Sequence, residues 1–226
     1  MKDDLSKLRE ELKSLSPLDY EAKNYASLED IELQKLIREK KVDNLLDQLK
    51  EAEVNSDWRK FQEFCFQLVK ITLEESEFEN VTTRYEDRTK YEALDSSGQR
   101  RDILIANNPR NSSDSNIWIK LKREWGCDIL IFDAKYYTVD LTDKEIYQMY
   151  AYLGDKVARL GIILSKEGKC DRTAKTAMRR IRQDNYGILI FSNQDINNWI
   201  NEYKEGGSVQ KTFFDRYTAY VAGFSP

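Results

Sequence analysis

The sequence predicts an α/β fold, a mixed β-sheet core flanked by helices with a helical extension at the N-terminus. Two observations carry the core. Continuous apolar runs such as LGIILS (160–165) and GILIFS (187–192) read as strands buried on both faces. Stretches of helical apolar spacing, opened by capping residues, alternate with them. A third observation sets off the extension: the first fifty residues are rich in Leu, Lys, Glu and Asp.

In chain order, Leu5, Leu8, Leu12 and Leu15 form a short helical seam broken by Pro17. A second helix is expected from about Ser27, carrying Leu28, Ile31, Leu36, Leu45, Leu46 and Leu49. Residues 1–55 are therefore a helical, coiled-coil-like extension. It is either an arm for a homodimer or larger oligomer, or an amphipathic segment packed on the main domain. Residues 56–226 are the main domain. Trp58, Phe61, Phe64, Cys65, Leu68, Val69 and Leu73 mark a core helix. Val81–Tyr85 and Asp102–Ala106 read as strands, with a turn at Asp95, Ser96, Ser97 and Gly98. Residues 107–116 read as loop, and 117–125 fit strand or helix equally. DILIFDAKY (128–136) is the clearest strand. Thr142 and Glu145 form a capping box for a helix with Ile146, Met149, Tyr150 and Leu153 on one face. Asp171 caps a helix with Ala174, Ala177, Met178 and Ile181 inward. Ser192 opens the last clear helix, with Ile196, Trp199, Ile200 and Tyr203 inward, stopped by Gly206 and Gly207.

Composition narrows the chemistry. At 226 residues, 40% hydrophobic and 34% charged, the chain supports one good-sized core and excludes wholesale disorder. No run of about 18 apolar residues is present, and Lys2, Asp3 and Asp4 open the chain, so a cytoplasmic protein with no membrane partner is expected. Cys65, Cys127 and Cys170, odd in number and without a CxxC pair, read as reduced, buried thiols. The chain has no histidine, which removes Ser-His-Asp and Cys-His hydrolases and His-based zinc enzymes. Hydrolysis would have to rest on carboxylates, lysine, tyrosine or a hard metal ion. A net charge of -4 gives no bulk attraction to nucleic acid, so a polyanion would need local basic patches.

One strand carries a polar anomaly. Asp133 and Lys135 interrupt an apolar run, and residues two apart on a strand project from the same face. The pair reads as a strand-end surface salt bridge or as a site. Asp102 stands at one end of another apolar strand, an expected hairpin partner. Two carboxylates from adjacent strands are the hard oxygen ligands that Mg²⁺ takes, and Lys135 could activate water or steady developing charge.

In the order of these residues, the segment from about Trp58 to Trp199 resembles the PD-(D/E)xK nuclease superfamily, and within it the restriction-endonuclease-like proteins of the Mrr type. The resemblance rests on Glu63 in the first core helix, Asp102 in QRRDILIAN, Asp133 and Lys135 in IFDAKYY, and Gln148 in EIYQMYAYL. Arg101 stands where the family's Pro is found, and Asp133 where Mrr-type proteins more often carry Glu. The resemblance implies a restriction-endonuclease-like fold over residues 56–226 and a Mg²⁺- or Mn²⁺-dependent DNA endonuclease, with a restriction or anti-phage defence role. It further implies that Asp102, Asp133 and the Ala134 carbonyl hold the metal, that Glu63 completes the acidic cluster, that Lys135 is the catalytic lysine, and that Gln148 orients the site.

Basic clusters complete this reading. Arg172, Lys175, Arg179, Arg180 and Arg182 line one helix opposite its apolar stripe, and Arg100 and Arg101 precede Asp102. Such residues hold DNA through phosphate contacts or form a solvated face. Tyr136 and Tyr137 either stack on a base or finish the strand. The competing readings are a nuclease-fold binding module without turnover, which the intact lysine and aspartates oppose, and a helical assembly factor built on residues 1–50, which leaves the polar strand unexplained.

Overall fold

One five-stranded sheet organises the described residues, which are 31–85, 103–155 and 158–223 of a computed structural model. The strands are β1 (Arg84–Tyr85), β2 (Ile103–Ala106), β3 (Ile129–Lys135), β4 (Leu160–Ser165) and β5 (Gly187–Phe191), lying side by side in chain order. β2 runs antiparallel to β1 and β3, whereas β3, β4 and β5 are parallel. Around them stand α1 (Ile31–Asn55), α2 (Trp58–Val69), α3 (Ile117–Trp125), α4 (Asp143–Tyr152), α5 (Arg172–Gln183), α6 (Asn193–Gly206) and α7 (Gln210–Val221). The mixed α/β class is thus the observed one. The seam at Leu5–Leu15, Ser27, the 95–98 turn, Arg100, Arg101 and Asp102 lie outside the described residues.

Parallel neighbours need crossover connections, and α4 and α5 supply them from β3 to β4 and from β4 to β5. Every residue of β4 and β5 is buried because helices cover both faces. On one face α4 and α5 pack together, and α4 sits close on β4 at Gly161, where an added Cβ would lie 2.3 Å from Met149 Sδ. On the other face Trp199 of α6 places its ring 6.4 Å from Phe132 and 5.9 Å from Phe191, and Phe213 of α7 stands 4.7 Å from Phe191. Val42, Leu45, Leu49 and Ala52 of α1 join the same core, with α1 packed on α2 and α6. The described half of the N-terminal segment is therefore an amphipathic helix buried along one side.

Three expectations resolve or change. Residues 117–125 are helical, because Asn116 accepts the Trp118 N–H at 2.8 Å as N-cap and Gly126 takes the left-handed conformation that ends the helix (φ 59°). Of Val81–Tyr85 only Arg84 and Tyr85 pair. A further helix, α7, follows α6. Val209 before it offers no side-chain cap. Its start is held instead by the buried carboxylate of Glu77, which accepts from Val209 N (3.0 Å), Ser208 Oγ (2.7 Å), Gln210 Nε2 (3.0 Å) and Trp118 Nε1 (3.0 Å). Cys127 and Cys170 are buried, and burial pushes their thiols up to about 12 and about 11, so both are protonated at neutral pH. Among the described residues no helix is long and apolar enough to cross a membrane.

Candidate active site

The polar residues of interest gather where the parallel strands end. In β3, Ile131 and Phe132 are fully buried, and the two residues that break the apolar run stay buried too: Asp133 is 1% exposed and Lys135 8%. Their side chains meet, Lys135 Nζ lying 2.8 Å from Asp133 Oδ2. This is a buried pair and not a surface salt bridge. Desolvating both charges offsets most of their attraction, so such a pair is weak evidence of a purely stabilising role.

The helix after β3 completes the arrangement. α4 begins at the expected capping box: Glu145 Oε2 accepts from Thr142 N at 2.8 Å and from Thr142 Oγ1 at 2.7 Å. Helical spacing then brings Gln148 one turn further on, where its Oε1 accepts from Lys135 Nζ at 3.0 Å. Gln148 Nε2 donates in turn to Tyr152 Oη at 2.9 Å. Lys135 is thus fixed between a carboxylate from its own strand and an amide from the crossover helix. Glu145 belongs to the same environment. Burial alone would raise its pKa, but hydrogen bonds from the Thr142 side chain and backbone, its own N–H and the Lys135 charge together hold it below the usual carboxylate range.

The remaining predicted site residues are placed unevenly. Asp102 lies outside the described residues, although its chain neighbour Ile103 pairs with Phe132, the chain neighbour of Asp133. Glu63 is exposed on α2, where it accepts from Gln67 Nε2 at 3.2 Å. α2 reaches the sheet through Phe61, whose ring is 5.3 Å from that of Tyr136. By strand alternation Tyr136 falls on the face opposite Asp133 and Lys135. Among the described residues no three His, Cys, Asp or Glu side chains converge as a metal-holding group. The donors there that suit a hard divalent cation are the Asp133 carboxylate and the Ala134 carbonyl, both oxygen.

On α5 the predicted cations Arg172, Lys175, Arg179, Arg180 and Arg182 are all exposed, opposite the buried Ala174, Ala177, Met178 and Ile181. One of them has another occupation. Arg182 donates to the carbonyls of Tyr220 (3.2 Å) and Val221 (2.9 Å) and lies 5.2 Å from the Tyr220 ring centroid, closing the last turn of α7.

Two neighbours escaped sequence reasoning. Tyr152 is signalled by its i+4 spacing from Gln148. Lys166, next after the buried run of β4, is signalled only by the alignment of parallel strand ends, which pairs Lys135 with Ser165. Lys166 donates its N–H to the Lys135 carbonyl at 3.2 Å and its Nζ to Tyr136 Oη at 3.1 Å. No protein-family model, no curated protein and no solved structure matches the chain.

Proposed function

We propose that this protein is a divalent-metal-dependent endonuclease of the PD-(D/E)xK type, with a restriction-endonuclease-like fold, that hydrolyses DNA phosphodiester bonds at the C-terminal end of β3 in a restriction or defence role. The observation that carries the reading is the buried Asp133–Lys135 pair, held by Gln148 at the end of a strand whose parallel neighbour β4 is apolar up to Ser165. Strand ends of open α/β sheets are where such folds keep their ligands.

Asp133 and the Ala134 carbonyl, with Asp102 and Glu63, would hold Mg²⁺ or Mn²⁺, which would supply Lewis-acid polarisation of the scissile phosphate. Lys135, oriented by Asp133 and Gln148, holds a positive charge beside the phosphoryl oxygens as negative charge builds on them. Water adds to phosphorus, the ester P–O bond breaks, and the departing oxygen leaves protonated. Tyr152 keeps the Gln148 amide turned so that its oxygen, not its nitrogen, faces Lys135. Arg172, Lys175, Arg179 and Arg180 hold flanking phosphates, with Arg100 and Arg101 in the same role and Arg182 committed to α7.

A plasmid-nicking assay in Mg²⁺, Mn²⁺ and EDTA tests this. Cleavage is expected with either metal and none in EDTA, and Asp133→Asn, which keeps the side-chain volume, should lower it by at least about 10²-fold when assayed below its own melting transition, which losing one partner of a buried pair lowers. Full activity in EDTA, or in the Asp133→Asn protein, would remove the reading.

A further inference from the structure

Away from the β3 pair, three cations of α5 belong to a second concave feature. Lys175, Arg179 and Arg182 recur at helical spacing and line a cleft of about 270 Å³, together with Met178 of the same helix and with Tyr220 and Gly223 at the end of α7. The cleft lies toward the other end of the sheet. A Cβ added at Gly187, the first residue of β5, would lie 2.9 Å from the Tyr220 hydroxyl, and Gly187 is aligned with Leu160. Lys135 is aligned with Ser165, about 16 Å further along β4.

Its charge is uncompensated. Elsewhere Lys41, Lys60, Lys122, Arg123, Lys211 and Arg216 each face a carboxylate, whereas among the described residues no carboxylate lines the cleft and none pairs with Lys175 or Arg179. Helix stability does not explain the placement, because Arg172 and Lys175 stand at the start of α5, where the helix dipole disfavours cations. Asp171 before them is spent on Ala174 N at 2.7 Å and Thr173 Oγ1 at 2.8 Å. Arg182 is fixed in advance, since the carbonyls of Tyr220 and Val221 and the Tyr220 ring hold its guanidinium on the cleft wall. Three cations in so small a volume match an anion with more than one charge. A phosphate monoester carries about −1.5 to −2 at pH 7 and three strong acceptor oxygens, whereas a diester within a chain carries a single charge. We infer that this cleft binds a phosphate monoester, with Lys175 and Arg179 as its contacts and Arg182 as a fixed charge behind them. The inference goes beyond the nuclease reading and does not depend on cleavage; to the phosphate contacts of α5 it adds a preference for the doubly charged form.

Calorimetric titration of the full chain with inorganic phosphate, in EDTA so that no metal at β3 contributes, tests it. The parent is expected to bind phosphate at one site and dimethyl phosphate, a monoanion, at least about tenfold more weakly, the scale of one charge-assisted hydrogen bond. Lys175→Gln with Arg179→Gln should lower phosphate affinity by at least about the same factor, and Arg179→Lys, which keeps the charge, should retain most of it. Both side chains are exposed, so the double variant should melt with the parent in chloride. The source of the monoester is read from two further probes. Tighter binding of a 5′-phosphorylated oligothymidylate than of its 5′-hydroxyl form, lost in the double variant, assigns a strand end; equal binding of the two, with thymidine monophosphate bound and thymidine not, assigns a free nucleotide. A parent that binds no phosphate, a double variant that binds it undiminished, or dimethyl phosphate bound as tightly as phosphate overturns the site. A protein that never cuts DNA in Mg²⁺ but shows the expected phosphate losses keeps the cleft and removes only the nuclease.

Discussion

β3 and β5 are both parallel-paired with β4 and packed against helices, β3 inside the sheet and β5 at its edge, and they use burial differently. β5 spends all five of its residues, Gly187–Phe191, on packing. β3 does the same through Phe132 and then buries a carboxylate and an ammonium in adjacent same-face positions. Nothing in the packing demands this, since Ile163, paired with Asp133, shows that an aliphatic side chain fits the neighbouring slot on that level of the sheet. A strand that keeps a costly pair where a cheap one would fit is under a requirement other than stability.

The sharpest way to break this comparison is to make β3 resemble β5. Replacing both partners, Asp133→Leu with Lys135→Met, should leave the thermal midpoint unchanged or raised, because apolar substitution of a complete buried pair is often neutral to stabilising by about 1–4 kcal/mol. Cleavage should vanish. A double variant that collapses in the melt would assign the pair to the scaffold. The reciprocal change is Ile190→Ala in β5, which removes fully buried methyl groups. It should cost about 2–5 kcal/mol in denaturant unfolding while the folded fraction cuts as the parent does.

A smaller effect separates the site's surroundings from the site. Glu145 has its folded pKa lowered relative to an ordinary 4.5. Its contribution to stability is therefore complete above that ordinary value and lost as pH falls through the lower folded one. Glu145→Gln should cost about 1 kcal/mol at neutral pH through the capping box and flatten the acid limb of a stability–pH curve. An acid limb identical to the parent's would show that the Thr142 hydrogen bonds do not favour the carboxylate.

Much of this was legible from residues alone, for reasons that can be named. The capping boxes at Thr142 and Ser192 and the Asp171 cap are local interactions, so their helices begin where the side chains say. The buried runs of β4 and β5 have one physical reading once helices alternate with them. Asp133 and Lys135 fall together because strand alternation is short-range geometry, whereas Gln148 entered only through the family resemblance. What stayed hidden depends on distant partners. Residues 117–125 mix Trp and Ile with Lys and Arg, and only the Asn116 cap and Gly126 decide for helix. α7 lacks a cap of its own and starts on a carboxylate far back in the chain. The occupation of Arg182 by the end of α7 is invisible for the same reason, and so is Lys166, which reaches Tyr136 from the end of the neighbouring strand.

The Glu77 carboxylate has a consequence for how the protein is made. Three of its four hydrogen-bond donors, Ser208, Val209 and Gln210, lie 131 to 133 residues downstream. A ribosome adding roughly 5–20 residues per second exposes Glu77 about ten seconds before those donors exist. During that interval the carboxylate is better served by water than by the interior, so Trp118 and the rings that pack around it have reason to stay open. Closure of the core around Trp118 is therefore expected to wait for residues 208–210, and chains halted before residue 210 are the ones expected to engage chaperones.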